Sequence, residues 1–146
     1  ELSVDALEAG REGLDPTLFA RARHVVTEIA RVEPMAVALA HGDMAALSKV
    51  MRASHVSLRD DYEVTEPEVD RLVDVVLAAL GSGADALGGV RMTGAGFGGC
   101  LVAVTRSSVV DNVMTAIEKS YNPDADIPAS AQVYNMAGGA REITPK

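Results

Sequence analysis

The stretch Arg91–Cys100, RMTGAGFGGC, followed directly by Leu101-Val102-Ala103-Val104-Thr105, decides how this chain reads. Four glycines, Gly94, Gly96, Gly98 and Gly99, fall within six residues. Glycine loses more backbone freedom on folding than any other residue. A cluster therefore marks a backbone turned through positive φ, or one pressed against something that leaves no room for a Cβ. Successive N–H groups in such a turn can form a concavity for an anion, phosphate above all. Gly94, Gly96 and Gly99 spell G-x-G-x-x-G, but a dinucleotide fold needs a helix to open there. The apolar run Cys100–Thr105 reads instead as a strand, so that fingerprint fails on its context. No Lys-Ser or Lys-Thr follows the glycines, which removes a Walker loop. Strand–loop–strand would suit the glycine-rich loop of a protein kinase, yet the chain has no VAIK-like lysine, HRD or DFG. Taken alone, the stretch leaves a phosphate cradle and a ligand-free glycine hairpin both open.

Working outward, the segment before it is helical. Asp15-Pro16 is an N-cap followed by proline at the first helical position. Leu18, Phe19, Ala22, Val25, Val26 and Ile29 then recur at helical spacing as a core stripe. Pro34 lacks an N–H and is expected to kink or split the helix near Val32, before Met35, Val37 and Leu39 carry it to a cap at Gly42. Asp43 caps the next helix, with Met44, Leu47, Met51 and Leu58 as its apolar face and Ser54 on the same stripe. Arg59-Asp60-Asp61-Tyr62 reads as a polar loop, and the paired acids as a solvated or salt-bridged turn in preference to a metal site or a base. Thr65-Glu66-Pro67-Glu68 reads as a capping box. The helix after it carries Val69, Leu72, Val73, Val76 and Leu80 and ends at Gly81.

Beyond the glycines, Ser107 or Ser108 is expected to cap a helix with Val110, Val113, Met114, Ile117 and Tyr121 inward, stopped by Asn122-Pro123. Gln132, Tyr134 and Met136 alternate with Ala131, Val133 and Asn135, the period of a strand. The order α-α-α-β-β-α-β argues for an α+β fold, a small mostly antiparallel sheet covered by helices.

Composition sets the outer limits. The chain has 146 residues, 48% hydrophobic and 23% charged, which suits one domain with a real core over residues 1–146. A formal charge of −8 argues against nucleic acid as a partner. No apolar run approaches a bilayer span, so no membrane is expected. The lone Cys100 forms no internal disulfide and has no zinc spacing around it, which points to a reducing, cytoplasmic home; within its apolar run it reads as a small buried hydrophobe. His24, His41 and His55 are scattered without metal spacing. His24, near Arg21, Arg23 and Arg31, reads as a hydrogen-bonded interface residue. His55 reads as a neighbour of a cleft and not as a catalyst.

Three segments then carry a resemblance: RARHVVTEIARV (Arg21–Val32), SHVSLRDDYEVTEPEVDRLV (Ser54–Val73) and GGVRMTGAGFGGCLVAV (Gly88–Val104). Together they closely resemble the C-terminal part of the galactokinase family, within the superfamily of small-molecule kinases that also phosphorylate homoserine, mevalonate and phosphomevalonate. The likeness runs from about Leu14 to the GGAREI at Gly138–Ile143, and RMTGAGFGGC is similar to the superfamily's third motif. It implies a ferredoxin-like C-terminal kinase domain, with Gly94, Ala95, Gly96, Phe97, Gly98 and Gly99 supporting bound ATP from the side of an interdomain cleft. Family loops often read GGGFGG; the methyl group of Ala95 implies that this position does not demand positive φ. The resemblance also implies that the catalytic aspartate, the magnesium ligands, the sugar-binding residues and the main ATP loop come from an N-terminal domain outside this sequence. No catalytic or metal-binding residue is then expected here, and the isolated piece is expected to be inactive. Its partners would be that N-terminal domain, with galactose and ATP in the cleft, and the exposed cleft face would favour self-association. A sister kinase for N-acetylgalactosamine or arabinose, a non-catalytic galactose-sensing relative and a free-standing interaction module remain the alternatives.

Overall fold

The computed structural model describes residues 2–135. Among the described residues, five α-helices and one two-stranded antiparallel sheet make an α+β fold, as read from the sequence. Helix α1 (Val4–Ala9), which sequence periodicity did not mark, is capped by the Ser3 hydroxyl accepting from the Ala6 amide at 3.1 Å. Helix α2 (Pro16–His41) starts where Asp15 Oδ1 accepts from the amides of Thr17 and Leu18 at 2.9 and 3.1 Å, and stops at Gly42, φ 63°. Helix α3 (Met44–Asp60) is capped by Asp43, whose carboxylate accepts from the Ala46 amide at 2.9 Å. Helix α4 (Pro67–Leu80), strands β1 (Gly88–Thr93) and β2 (Cys100–Thr105), and helix α5 (Val110–Ala116) complete the order.

Pro34 neither splits α2 nor ends it: the helix is continuous through it. The carbonyl that proline leaves without a donor is that of Ala30, an exposed residue, so water can satisfy it. The apolar stripe of α2 also divides differently from expectation. Phe19 and Val26 pack with Leu7 of α1, and Met35 and Ala38 pack with Leu47 and Met51 of α3. Leu18, Val25, Ile29, Val32 and Leu39 face outward, Val32 being 67% exposed.

The capping box at Thr65–Glu68 does not form. Pro67 occupies the first turn, so Glu66 is the N-cap, and Thr65, one residue too early, donates its hydroxyl to Asp70 Oδ2 at 3.2 Å instead. The pair Arg59-Asp60 completes α3 before the chain turns at Asp61. Ser107–Val109 is a 3₁₀ turn without a side-chain cap. From there α5 passes into a π turn, Ile117–Tyr121, and a 3₁₀ turn, Asn122–Asp124, where the helical run stops as expected. Residues 131–135 form no strand, because a two-residue period makes a strand only where a neighbouring ladder receives it. Met136 and the GGAREI segment lie outside the described residues.

The sheet lies on α3 and α4. Strand β1 pairs with β2 in register from Gly88↔Thr105 to Thr93↔Cys100. Its residues Val90 and Met92 are fully buried, Val90 in a cluster with Val73, Val76 and Leu80 of α4 and Val113 of α5. Cys100 is exposed, contrary to its reading as a core residue, because β2 turns toward solvent where it leaves the glycine loop. No helix among the described residues is long and apolar enough to cross a membrane.

Candidate functional site

The loop between β1 and β2 gathers all six residues singled out in the sequence, and its conformation explains its composition. Gly94, Gly96, Gly98 and Gly99 have φ of 100°, 88°, 108° and 111°, a region L side chains rarely enter. Ala95 is the one loop residue without positive φ, as its methyl group implied, and Phe97 accepts φ 58°. A Cβ on Gly94 or Gly98 would meet nothing within 4 Å, so conformation and not crowding demands glycine there. Gly96 differs: a Cβ would lie 2.7 Å from both Cβ and the carbonyl oxygen of Val64. Of the six loop amides, only that of Phe97 donates to an acceptor among the described residues, the Val64 carbonyl at 2.8 Å. The loop therefore carries five amides without an acceptor among the described residues, with the Phe97 ring 73% exposed beside them.

What holds this loop is the turn after α3. Glu63, φ 56°, and Phe97 are the two non-glycine residues with positive φ among the described residues, and Val64 lies between Glu63 and the loop. Strained backbone concentrates where surrounding structure over-determines it, frequently at functional sites. Glu63 is gripped by Arg21 Nη2 at 2.6 Å, and the same guanidinium donates to the Asp61 carbonyl. The Asp61 carboxylate is buried, accepting from Arg23 and, at 2.8 Å, from the Ser57 hydroxyl. Since Ser57 gives its proton to Asp61, its oxygen accepts from His24 Nδ1 at 3.0 Å. His24 in turn stacks on Tyr62 with ring centroids 4.5 Å apart. Burial pushes the His24 imidazole below its ordinary pKa, only partly opposed by Glu28. The direction of these bonds removes a nucleophile: the hydroxyl proton faces a carboxylate, and the histidine is a donor, not a base.

Both aspartates are salt-bridged as expected, but only Asp61 lies in the turn, because Asp60 is still the last residue of α3. Arg59 Nε holds Asp60 Oδ1 at 2.7 Å, and this hydrogen bond keeps the Asp60 carboxyl below the usual range. His24 is hydrogen-bonded as expected, to Ser57 and not to the arginines near it. A second polar chain crosses the region, with Glu28 accepting from Ser54 at 2.8 Å and from Arg91 at 3.4 Å. Val64 and Glu63 were not visible as site residues, for a backbone carbonyl and a positive φ carry no letter in the sequence.

A shallow groove lies at the opposite end of the α3–α4 pair, lined by Ser48, Lys49, Arg52, Asp74 and Ser82. It does not meet the glycine loop. Among the described residues no group of three His, Cys, Asp or Glu side chains is placed to hold a metal ion.

Residues 35–123 match the model of the family described as "GHMP kinases C terminal". That span includes α3, α4, both strands, the glycine loop and α5. The chain belongs to the GHMP kinases. Among solved structures, galactokinase from Lactococcus lactis, determined in complex with galactose, is similar over 88% of this chain at 37% identity and a TM-score of 0.75. The chain spans 32% of that protein's length. Kinases of this family use ATP and magnesium. Loop amides that have no acceptor among the described residues fit the phosphate side of that requirement.

Proposed function

We propose that this chain is the C-terminal part of a cytoplasmic galactokinase, which transfers the γ-phosphoryl group of ATP to the C1 hydroxyl of galactose. The observation that carries the loop's role is that its amides at Gly94, Ala95, Gly96, Gly98 and Gly99 have no acceptor among the described residues, on a backbone whose four glycines all have positive φ. The galactose specificity rests on the likeness to the Lactococcus lactis enzyme.

Phosphoryl transfer is achieved almost entirely by positioning and by compensating charge on the phosphate oxygens. Preorganised N–H groups supply such compensation without reorganising during the reaction. Here the glycine backbone presents them, Val64 fixes the loop tip, and Phe97 projects toward the remainder of the cleft. The base beside the sugar hydroxyl and the magnesium ligands belong to a partner domain outside this sequence, so the piece alone does not turn over. The face that such a domain would cover is expected to favour self-association of the isolated piece.

The test is to express the complete reading frame containing this sequence and follow ADP release with galactose, N-acetylgalactosamine and arabinose. Galactose-dependent turnover, absent from the 146-residue chain alone, is the expected result. Preference for another sugar would reassign the substrate. Sugar binding without turnover would make the protein a sensor.

A further inference from the structure

One buried polar group is not used by any step above. His55, on α3, is 4% exposed and lies beneath the root of the glycine loop. In an antiparallel pair, alternate amides of an outer strand point away from the partner and need another acceptor. The Met92 amide of β1 is one of these, and it donates to His55 Nδ1 at 3.4 Å. An imidazole nitrogen thus stands where the carbonyl of a further strand would. Because Nδ1 accepts, the proton of the neutral ring sits on Nε2. Nε2 lies 3.2 Å from Asp70 Oδ1, close in charge contact yet not aligned as a hydrogen bond, so both atoms are buried without a full partner. The other oxygen of Asp70 receives the Thr65 hydroxyl. Thr65 follows Val64, on which Gly96 and Phe97 rest.

We propose that His55 is a positioning residue for the glycine loop, joining its root at Met92 to its tip support at Val64 through Asp70 and Thr65. Only the neutral ring can do this. A proton on Nδ1 would turn the acceptor into a donor facing the Met92 N–H, and the root would lose its anchor. Burial holds the ring below its ordinary pKa against the pull of Asp70. The other charges facing it are Asp74 on α4, which favours protonation, and Arg59 on α3, which opposes it. The inference rests on the loop serving phosphate only for its consequence in catalysis. The coupling itself is a property of this chain.

The test uses amide NMR on the full 146-residue chain. His55→Leu removes the acceptor while keeping an apolar filling; His55→Asn places an amide oxygen close to the Nδ1 position. In the leucine variant, exchange of the Met92 and Phe97 amides should accelerate by about tenfold or more. The Val76 and Leu80 amides of α4 should change far less, and the asparagine variant should restore protection. In wild type, the Met92 and Gly94–Gly99 amide signals should move together with the His55 imidazole as pH falls below about 6.5. Equal acceleration throughout the core would make His55 a space-filler and overturn the proposal, as would loop signals that ignore the His55 titration. In the complete kinase, His55→Leu should raise KM for ATP more than it lowers kcat. If the NMR coupling holds and the kinetics do not change, His55 positions the loop and it is the phosphate role of the loop that fails.

Discussion

Strands β1 and β2 are paired residue for residue, yet they live in different surroundings. The sequence GGVRMT of β1 is the less apolar, and it is the buried strand: Gly88, Gly89, Val90 and Met92 are all enclosed. The sequence CLVAVT of β2 is nearly continuous in apolar residues, and Cys100, Val102 and Ala103 are exposed. Burial therefore follows which strand the helices reach and not which strand is more hydrophobic. Strand β1 rests on α3, where a Cβ on Gly89 would come within 3.0 Å of the Ser48 Cα. Its glycines are what allow that approach. The surplus of apolar surface on β2 is matched by the outer face of α2, and both are surfaces that a larger kinase polypeptide would have reason to cover.

The sharpest way to break this contrast is to crowd the inner strand. A Cβ on Gly88 would sit 2.8 Å from the Cα and Cβ of Thr105 and closer still to the Val104 carbonyl oxygen. Gly88→Val is expected to cost more than about 3 kcal/mol, since backbone, unlike a flexible side chain, has nowhere to go. Urea unfolding followed by circular dichroism measures it. A variant as stable as wild type would mean that the two strands are not held at this register.

On the outer side the sign reverses. Pro34 lies on the exposed part of α2, where it removes a hydrogen bond from a helix that is otherwise continuous. Pro34→Ala is expected to stabilise the chain by about 1–3 kcal/mol, with a higher Tm by calorimetry. A loss of stability would show that the proline ring makes a contact the helix needs.

These two glycine and proline sites also mark how far the sequence was legible. The second strand, the loop before it and the caps at Asp15, Gly42 and Asp43 were readable to the residue, because glycine, proline and capping acids act through local backbone geometry, whereas the first strand, read as Val90–Thr93, begins two residues earlier at Gly88. The loop residues of the candidate site were readable for the same reason. What lay hidden was tertiary. Leu18, Val25 and Ile29 have the spacing of a core stripe, but α2 is apolar on more than one side, and only Phe19 and Val26 meet α1. Thr65 matches a capping box, but Pro67 moves the helix start by one residue. The alternation at 131–136 has the right period and no ladder within the described residues. The supporting role of Val64 could not be read at all, for it acts through its carbonyl, which every residue has.

The finest probe of the two strands is one substitution made twice. Val→Thr keeps shape and β-propensity and adds a hydroxyl, so its cost reports whether that hydroxyl can reach water. Val90 is 0% exposed and Val102 is 40% exposed, on strands that pair one residue out of step at these positions: Val90 with Ala103, Arg91 with Val102. Val90→Thr places the hydroxyl among Val73, Val76 and Val113, with no acceptor in that cluster, and should cost about 1–3 kcal/mol. Val102→Thr should change stability by less than about 0.5 kcal/mol. Both are read from denaturation midpoints at a low protein concentration and again at a high one. If the Val102 variant is neutral when dilute and destabilised when concentrated, β2 is being covered by a second copy. If it costs as much as Val90→Thr at every concentration, β2 is already enclosed within the chain, and the contrast between the strands fails.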